Sequence, residues 1–170
     1  MKNVSDCVYP CPCGYANDSV KPCTCAHALV TKYQKRISGP LLDRIDIHIE
    51  VPRVDYEKLS SDRVGESSES IRQRVQAARD IQQSRFTNYQ STDIVCNADM
   101  RVGEVRQFCK LPEEGQSLMR AAMTQLNLSA RAYHRILKLA RTIADLAGSE
   151  EIQSVHLAEA LQYRPKIMTG

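Results

Sequence analysis

Two pairs of cysteines, Cys11-Pro-Cys13 and Cys23-Thr-Cys25, stand close together near the start of the chain, separated by a short loop containing glycine and proline. Thiolates are soft ligands, and four of them satisfy the tetrahedral preference of zinc with no position left open. The pattern therefore predicts a structural zinc site rather than a catalytic one, with Cys7 and His27 as substitute ligands. The Cys-x-Cys spacing is less usual for zinc than Cys-x-x-Cys, and the same residues also fit a turn-rich loop of small, reduced, semi-buried thiols.

Two arginines have a different chemistry. Arg44 lies in Ser38-Gly-Pro-Leu-Leu-Asp-Arg-Ile-Asp46, at the point where a turn gives way to regular structure. A guanidinium there can stabilise the charge on a transferring phosphoryl group in a neighbouring subunit, or it can pair with Asp43 or Asp46 at little net energy. Arg131 falls in the first turn of a helix that opens at Ser129. The helix dipole disfavours a cation there, but an anion held between guanidinium and helix end would be favoured. The competing reading is a solvated basic face. None of the four histidines has the spacing of a catalytic base, and no Ser-His-acid or Cys-His arrangement is legible.

The elements that must position these groups are mostly helical. Cys7–Cys25 is rich in turn formers and reads as a loop or small knuckle. From Arg44 to Val51 the isoleucines Ile45, Ile47 and Ile49 alternate with charged residues and histidine, which predicts one strand. One strand cannot bury its apolar face alone, so the chain reads as cut from a longer protein. After Pro52 the pattern becomes helical from Asp55 to Leu59. A longer amphipathic helix then follows Ser67 and Ser68, with Ile71, Val75, Ala78 and Ile81 on its apolar side and Arg72, Gln76, Arg79 and Gln83 on a basic one. Phe86–Val95 reads as a loop, and helices follow over 101–109 and 113–126, separated by Leu111-Pro112. The clearest helix begins after Ser129 and carries Tyr133, Ile136, Leu137, Ala140, Ile143, Ala144 and Ala147 at helical spacing until Gly148. Arg131, Arg135, Lys138 and Asp145 occupy its opposite, polar face. A last helix spans about Ser154–Tyr163 and stops at Pro165.

With 170 residues, 42% hydrophobic and 25% charged, the composition is that of a globular protein with one sizeable core or two small ones. Apolar runs fall well short of the ~20 residues that cross a bilayer, and no secretory signal opens the chain, which places it in the cytoplasm with its thiols reduced. A net charge of +3 permits a polyanionic partner without demanding one.

Taken in order, Pro10-Cys-Pro-Cys-Gly-Tyr15, Ile37-Ser-Gly-Pro-Leu-Leu-Asp-Arg-Ile-Asp-Ile47, Gly65-Glu-Ser-Ser68 with Ile71-Arg72 and Arg74-Val75, Leu128-Ser-Ala-Arg131 with Ala140-Arg-Thr-Ile-Ala-Asp-Leu146, and His156-Leu-Ala-Glu-Ala-Leu-Gln-Tyr-Arg164 resemble the C-terminal part of the magnesium-chelatase-like AAA+ ATPases of the bacterial competence-associated ComM/YifB group. The resemblance spans nearly the whole chain. It implies a mainly α fold, a helical lid bundle preceded by a loop and one strand left from an α/β nucleotide-binding core. The implied divisions are a core remnant over 1–53, a connecting helix and loop over 54–96, and the lid over 97–170. It further implies Arg44 as an arginine finger, Arg131 as a sensor-2 arginine contacting nucleotide, ATP and Mg2+ in the full-length protein, neighbouring AAA+ subunits in a hexamer, and DNA as a partner in natural transformation, by helicase or branch-migration activity.

Departures from the family pattern matter as well. Cys7-Val-Tyr-Pro10 stands where the pattern has Ala-Met-Asn-Pro, which removes the sensor-1 asparagine, and no Gly-x-x-x-x-Gly-Lys-Ser/Thr loop or acidic metal-holding strand end occurs. The chain is therefore expected to be inactive as an ATPase by itself. Outside this class stand two alternatives without motor function. One is a helical nucleic-acid-binding module using Arg72, Arg79, Arg131, Arg135 and Lys138; the other is a zinc-stapled interaction module.

Overall fold

In the computed structural model, residues 11–16, 18, 20–42, 44–49, 51, 54, 56, 60, 65–87, 89 and 93–164 are described. The expectations that fall on Cys7, Asp43, most of Asp55–Leu59 and Pro165 lie outside them. The described residues form seven α-helices, a 3₁₀ turn and no β-strand. The chain divides into two compact units, one of residues 1–44 and 50–61, the other of residues 45–49 and 62–170.

The first unit contains α1, His27–Gln34, and the single turn α2, Gly39–Leu42. Neither helix has a buried residue. Asp18 builds the loop between the cysteine pairs, its Oδ1 accepting the amides of Val20 and Lys21, both at 2.8 Å. Gly14 adopts φ 81°, a left-handed conformation that favours glycine, as its amide turns back to the Cys11 carbonyl at 3.0 Å.

The second unit is a helical bundle built of α3 (Ser68–Thr87), the 3₁₀ turn Asn97–Asp99, α4 (Val102–Phe108), α5 (Glu113–Gln125), α6 (Ala130–Leu146) and α7 (Ser154–Gln162). Helix α6 lies at its centre, packed on α3, α4, α7 and the 3₁₀ turn, while α5 packs on α7. Ile136, Leu137, Ala140, Ile143 and Ala144 of α6 join Phe86, Met100, Val105, Met119, Ile152, Leu157 and Ala160 in one core. The mainly helical class predicted from the sequence is what the protein adopts. Ser129 caps α6 as expected, its Oγ accepting the Ala132 amide at 3.1 Å.

The end of α6 is a Schellman motif. The Ser149 amide donates to the Ala144 carbonyl at 2.8 Å and the Gly148 amide to the Asp145 carbonyl at 3.1 Å, with Gly148 at φ 66°. A Cβ on Gly148 would meet no atom within 4 Å, so Gly148→Ala tests the backbone conformation alone. It is expected to destabilise the bundle by about 1 kcal/mol, seen as a lower urea midpoint at an unchanged denaturant slope.

Four sequence expectations are corrected. The strand at Arg44–Val51 does not form: Ile45, Ile47, Ile49 and Val51 are all exposed, and the His48 amide donates to the Tyr163 carbonyl at the end of α7, 2.9 Å away. Alternating residues make an extended segment, but a strand also needs a neighbouring strand to pair with its backbone. The apolar face of α3 is buried only toward its C-terminal half, where Ala78 turns inward as expected. Ile71, Val75 and Ile81 are exposed, while Ala78, Gln82 and Phe86, four residues apart, turn inward. The helix runs on to Thr87, taking in the start of the expected loop, because Phe86 is anchored edge-to-face on Phe108 with ring centroids 5.7 Å apart. Lastly, Asp145, read as part of the polar face of α6, is buried.

Candidate functional site

Three places in the structure carry groups capable of chemistry. In the first unit, Cys11, Cys13, Cys23 and Cys25 converge, their sulfurs all within 4.8 Å of one another. Cys11 Sγ lies 3.3 Å from Cys13 Sγ and 3.6 Å from Cys23 Sγ, and Cys13 Sγ lies 3.5 Å from Cys23 Sγ. A disulfide would bring a pair to about 2.05 Å, whereas thiolates at about 2.3 Å from a shared zinc ion stand roughly 3.8 Å apart along the edges of a tetrahedron. The spacing fits shared coordination. Cys11 is fully buried, and its sulfur accepts the Ala16 amide at 3.2 Å, a bond that orients the sulfur and would offset the charge of a thiolate.

The four thiols are electrostatically unequal. The Tyr15 amide and then the Cys11 side chain draw Cys13 down to about 6. At Cys23 the Cys25 amide favours the thiolate, but Cys13, burial and Cys11 together outweigh it and push the thiol up to about 12. Thiols brought this close disfavour one another's ionisation beyond the first, a conflict that a divalent cation would resolve. Among the described residues the cluster consists of these four cysteines. Cys109, in the core of the second unit, is instead pushed up to about 12 by burial, and behaves as a small apolar side chain.

The second place is Arg44, just beyond α2. It is exposed, its amide donates to the Leu41 carbonyl at 2.9 Å, and its Nη1 donates to the Pro40 carbonyl at 2.8 Å, which lays the side chain back along the turn. Asp46, two residues on, pairs with Arg135 at 2.7 Å.

The third is the N-terminal turn of α6, where Arg131 is exposed two residues after the Ser129 cap. The structure does not keep the rest of the expected basic face open. Arg135 is engaged with Asp46, and Lys138 Nζ donates to the Ala98 carbonyl at 2.9 Å. Arg72 and Arg79 on α3 are exposed, Arg72 in an ion pair with Glu69 at 3.0 Å. Of the basic residues singled out from the sequence, Arg72, Arg79 and Arg131 are thus exposed, and Arg135 and Lys138 are engaged within the helical unit.

A polar cluster missed by the sequence reading lies inside the bundle. Asp145 accepts from Arg141 Nε at 3.0 Å, from Asn97 Nδ2 at 2.7 Å and from Arg85 Nη1 at 3.0 Å, with a second, shorter contact to Arg85 Nη2. Arg141 also caps the chain beyond α6, donating to the Ser149 and Glu150 carbonyls at 2.6 and 2.7 Å. A signal was present: Leu137, Arg141 and Asp145 form one row along the edge of the apolar stripe.

Residues 65–164, more than half of the chain, match the family described as magnesium chelatase, subunit ChlI C-terminal, and residues 4–59 match magnesium chelatase, subunit ChlI. The chain belongs to the magnesium-chelatase ChlI family. Among its relatives, it is 42% identical to the competence protein ComM of Haemophilus influenzae over 140 residues, which is 81% of this chain and 26% of that protein. It is 43% identical to the uncharacterised protein YifB of Escherichia coli over 134 residues, 78% of this chain and 25% of that one. An uncharacterised protein of Mycobacterium tuberculosis is 32% identical over 155 residues, 91% of this chain and 30% of its own length. The chain thus spans roughly a quarter to a third of these relatives, and it is a ComM/YifB-like member of the magnesium-chelatase family. The two family matches divide between Leu59 and Gly65. Among the described residues, no helix is long and apolar enough to cross a membrane.

Proposed function

We propose that this chain is the end of the ATPase core and the helical lid of a ComM/YifB-type AAA+ motor, with core residues over 1–53, a connection over 54–96 and the lid over 97–170. In the assembled hexamer Arg44 acts as an arginine finger toward a neighbouring subunit's nucleotide, and Arg131 acts as the sensor-2 arginine. ATP and Mg2+ are the cofactors of the full-length protein, DNA is its partner and the cytoplasm its compartment. The observation that carries this reading is the pair of ChlI-family matches in chain order, which extends across both arginines. The exposure of Arg44 and Arg131 supports it, and the exposed Arg72 and Arg79 support DNA binding, as does the competence role named for ComM. With no phosphate-binding Gly-x-x-x-x-Gly-Lys-Ser/Thr loop in its sequence, the segment is inactive alone.

A separate observation, the 3.3–3.6 Å sulfur spacing, supports a second assignment: the cysteine cluster holds a structural zinc ion, with Cys11, Cys13, Cys23 and Cys25 as its ligands.

Side-by-side assays of this chain and of the full-length protein test both assignments. ATP turnover is expected in the full-length protein alone, with zinc in both samples and DNA binding that weakens steeply with salt. Turnover by the isolated chain, or by neither sample, would overturn the lid assignment.

A further inference from the structure

Among its described residues, the first unit has almost no apolar interior. Cys11 is its only buried side chain among the described residues, whereas Leu29 and Leu41 are 49% exposed, Val54 51% and Tyr56 82%. Helix α1 has eight residues, no side-chain cap and no buried face. Isolated helices that short are marginal in water, and a segment that buries so little apolar surface needs a staple.

Among the contacts of the described residues, those of sulfur join the most distant parts of this segment. The backbone bonds from Ala26 to Arg44, such as Val30 to Ala26 at 3.1 Å, Lys35 to Thr31 at 3.0 Å, Leu42 to Ser38 at 3.1 Å and Arg44 to Leu41 at 2.9 Å, each link residues three or four apart. The contacts of Cys23 with Cys13 and Cys11 link residues ten and twelve apart. Thiol-to-thiol hydrogen bonds are too weak to hold such a loop closed, whereas a metal bound only by the folded ligand set contributes its binding free energy to folding.

We infer that the metal centre is the folding determinant of Cys11–Leu42, and that it thereby sets the position of Arg44. The inference rests on the zinc assignment above. Helix α1 begins two residues after the ligand Cys25, and the run of local bonds continues through α2 to Arg44, whose amide and guanidinium are both held by that turn. Each thiol that enters the site as thiolate gives its proton to solvent, and no oxidant or reductant takes part. The helical unit, with its own core, is independent of the metal.

The test is hydrogen exchange on the whole 170-residue chain under reducing conditions, stripped with a chelator and then reloaded with zinc, with metal content measured on each sample. Protection at the amides of Ala16, Val30 and Leu42 should rise at least about tenfold with zinc while the amides of α6 do not change. A Cys11→Ser, Cys23→Ser double variant should bind no zinc and show the stripped pattern throughout. Zinc bound at one ion per chain with no change in protection would overturn the folding inference and leave the zinc assignment standing; no zinc uptake would remove both. Zinc-dependent protection that survives the double substitution would also overturn it, because the ion would then be held elsewhere.

Discussion

Asp145→Ala is expected to destabilise the helical bundle by about 3–5 kcal/mol, a large share of the stability of an ordinary domain. The carboxylate is fully buried and is shared by Arg85, Arg141 and Asn97. Its removal leaves the Arg141 side chain, only 4% exposed, and that of Arg85, 14% exposed, without their counter-charge. The penalty comes from the unpaired cations rather than from the ion pair's net worth, since a buried pair roughly repays its own desolvation. Asp145→Asn keeps one acceptor and should cost less. Arg85→Ala should cost less than Asp145→Ala, because Arg141 still neutralises the carboxylate and solvent can reach the vacated edge. Urea unfolding of the three variants gives the ranking; a loss below about 1 kcal/mol for Asp145→Ala would show that the two arginines find other acceptors.

Arg44→Ala and Arg131→Ala in a full-length protein carrying this segment are each expected to lower ATP turnover by about 10²–10³, the usual consequence of removing an oriented electrostatic donor from a charge-developing transition state. The two should fail differently. A finger that reaches a neighbouring subunit acts in the transition state, so Arg44→Ala should lower kcat with little change in nucleotide affinity. A sensor that contacts bound nucleotide acts in both states, so Arg131→Ala should weaken nucleotide binding as well. Both side chains are exposed in this chain, and neither substitution should shift its stability by more than about 0.5 kcal/mol. Normal turnover in both variants would end the assignment of these residues.

The contrast between Asp145 and Arg131 shows how far linear pattern reaches. Both were read as members of one polar face of α6, yet one is buried and the other exposed. Helical periodicity tells which residues share a side, and from it Ser129, Gly148 and the limits of α4 to α7 were legible within a residue or two. These are local matters: a cap oxygen meets an amide three residues away, and a left-handed terminus favours glycine. The two cysteine pairs were legible for the same reason, as both pairs and the intervening turn formers lie within fifteen residues.

The sequence by itself thus determined the helices from α3 onward, the caps at Ser129 and Gly148, the cysteine cluster and the family resemblance, while α1 and α2 went unread. Only the tertiary structure decided what each face meets. Ile45, Ile47 and Ile49 have a strand's alternation, but among the described residues no strand pairs with them, and the His48 amide bonds to the end of α7 instead. Ile71, Val75, Ala78, Gln82 and Phe86 share one face of α3, but only the last three meet the bundle, while Ile71 and Val75 stay exposed. Asp145 became a hub because Arg85 and Asn97, 60 and 48 residues away in sequence, arrive beside it. Short-range hydrogen bonds and steric limits act between neighbours in the chain and leave their mark in local residue order, whereas burial and charge pairing depend on which distant segments meet, and that is settled only when the whole core packs.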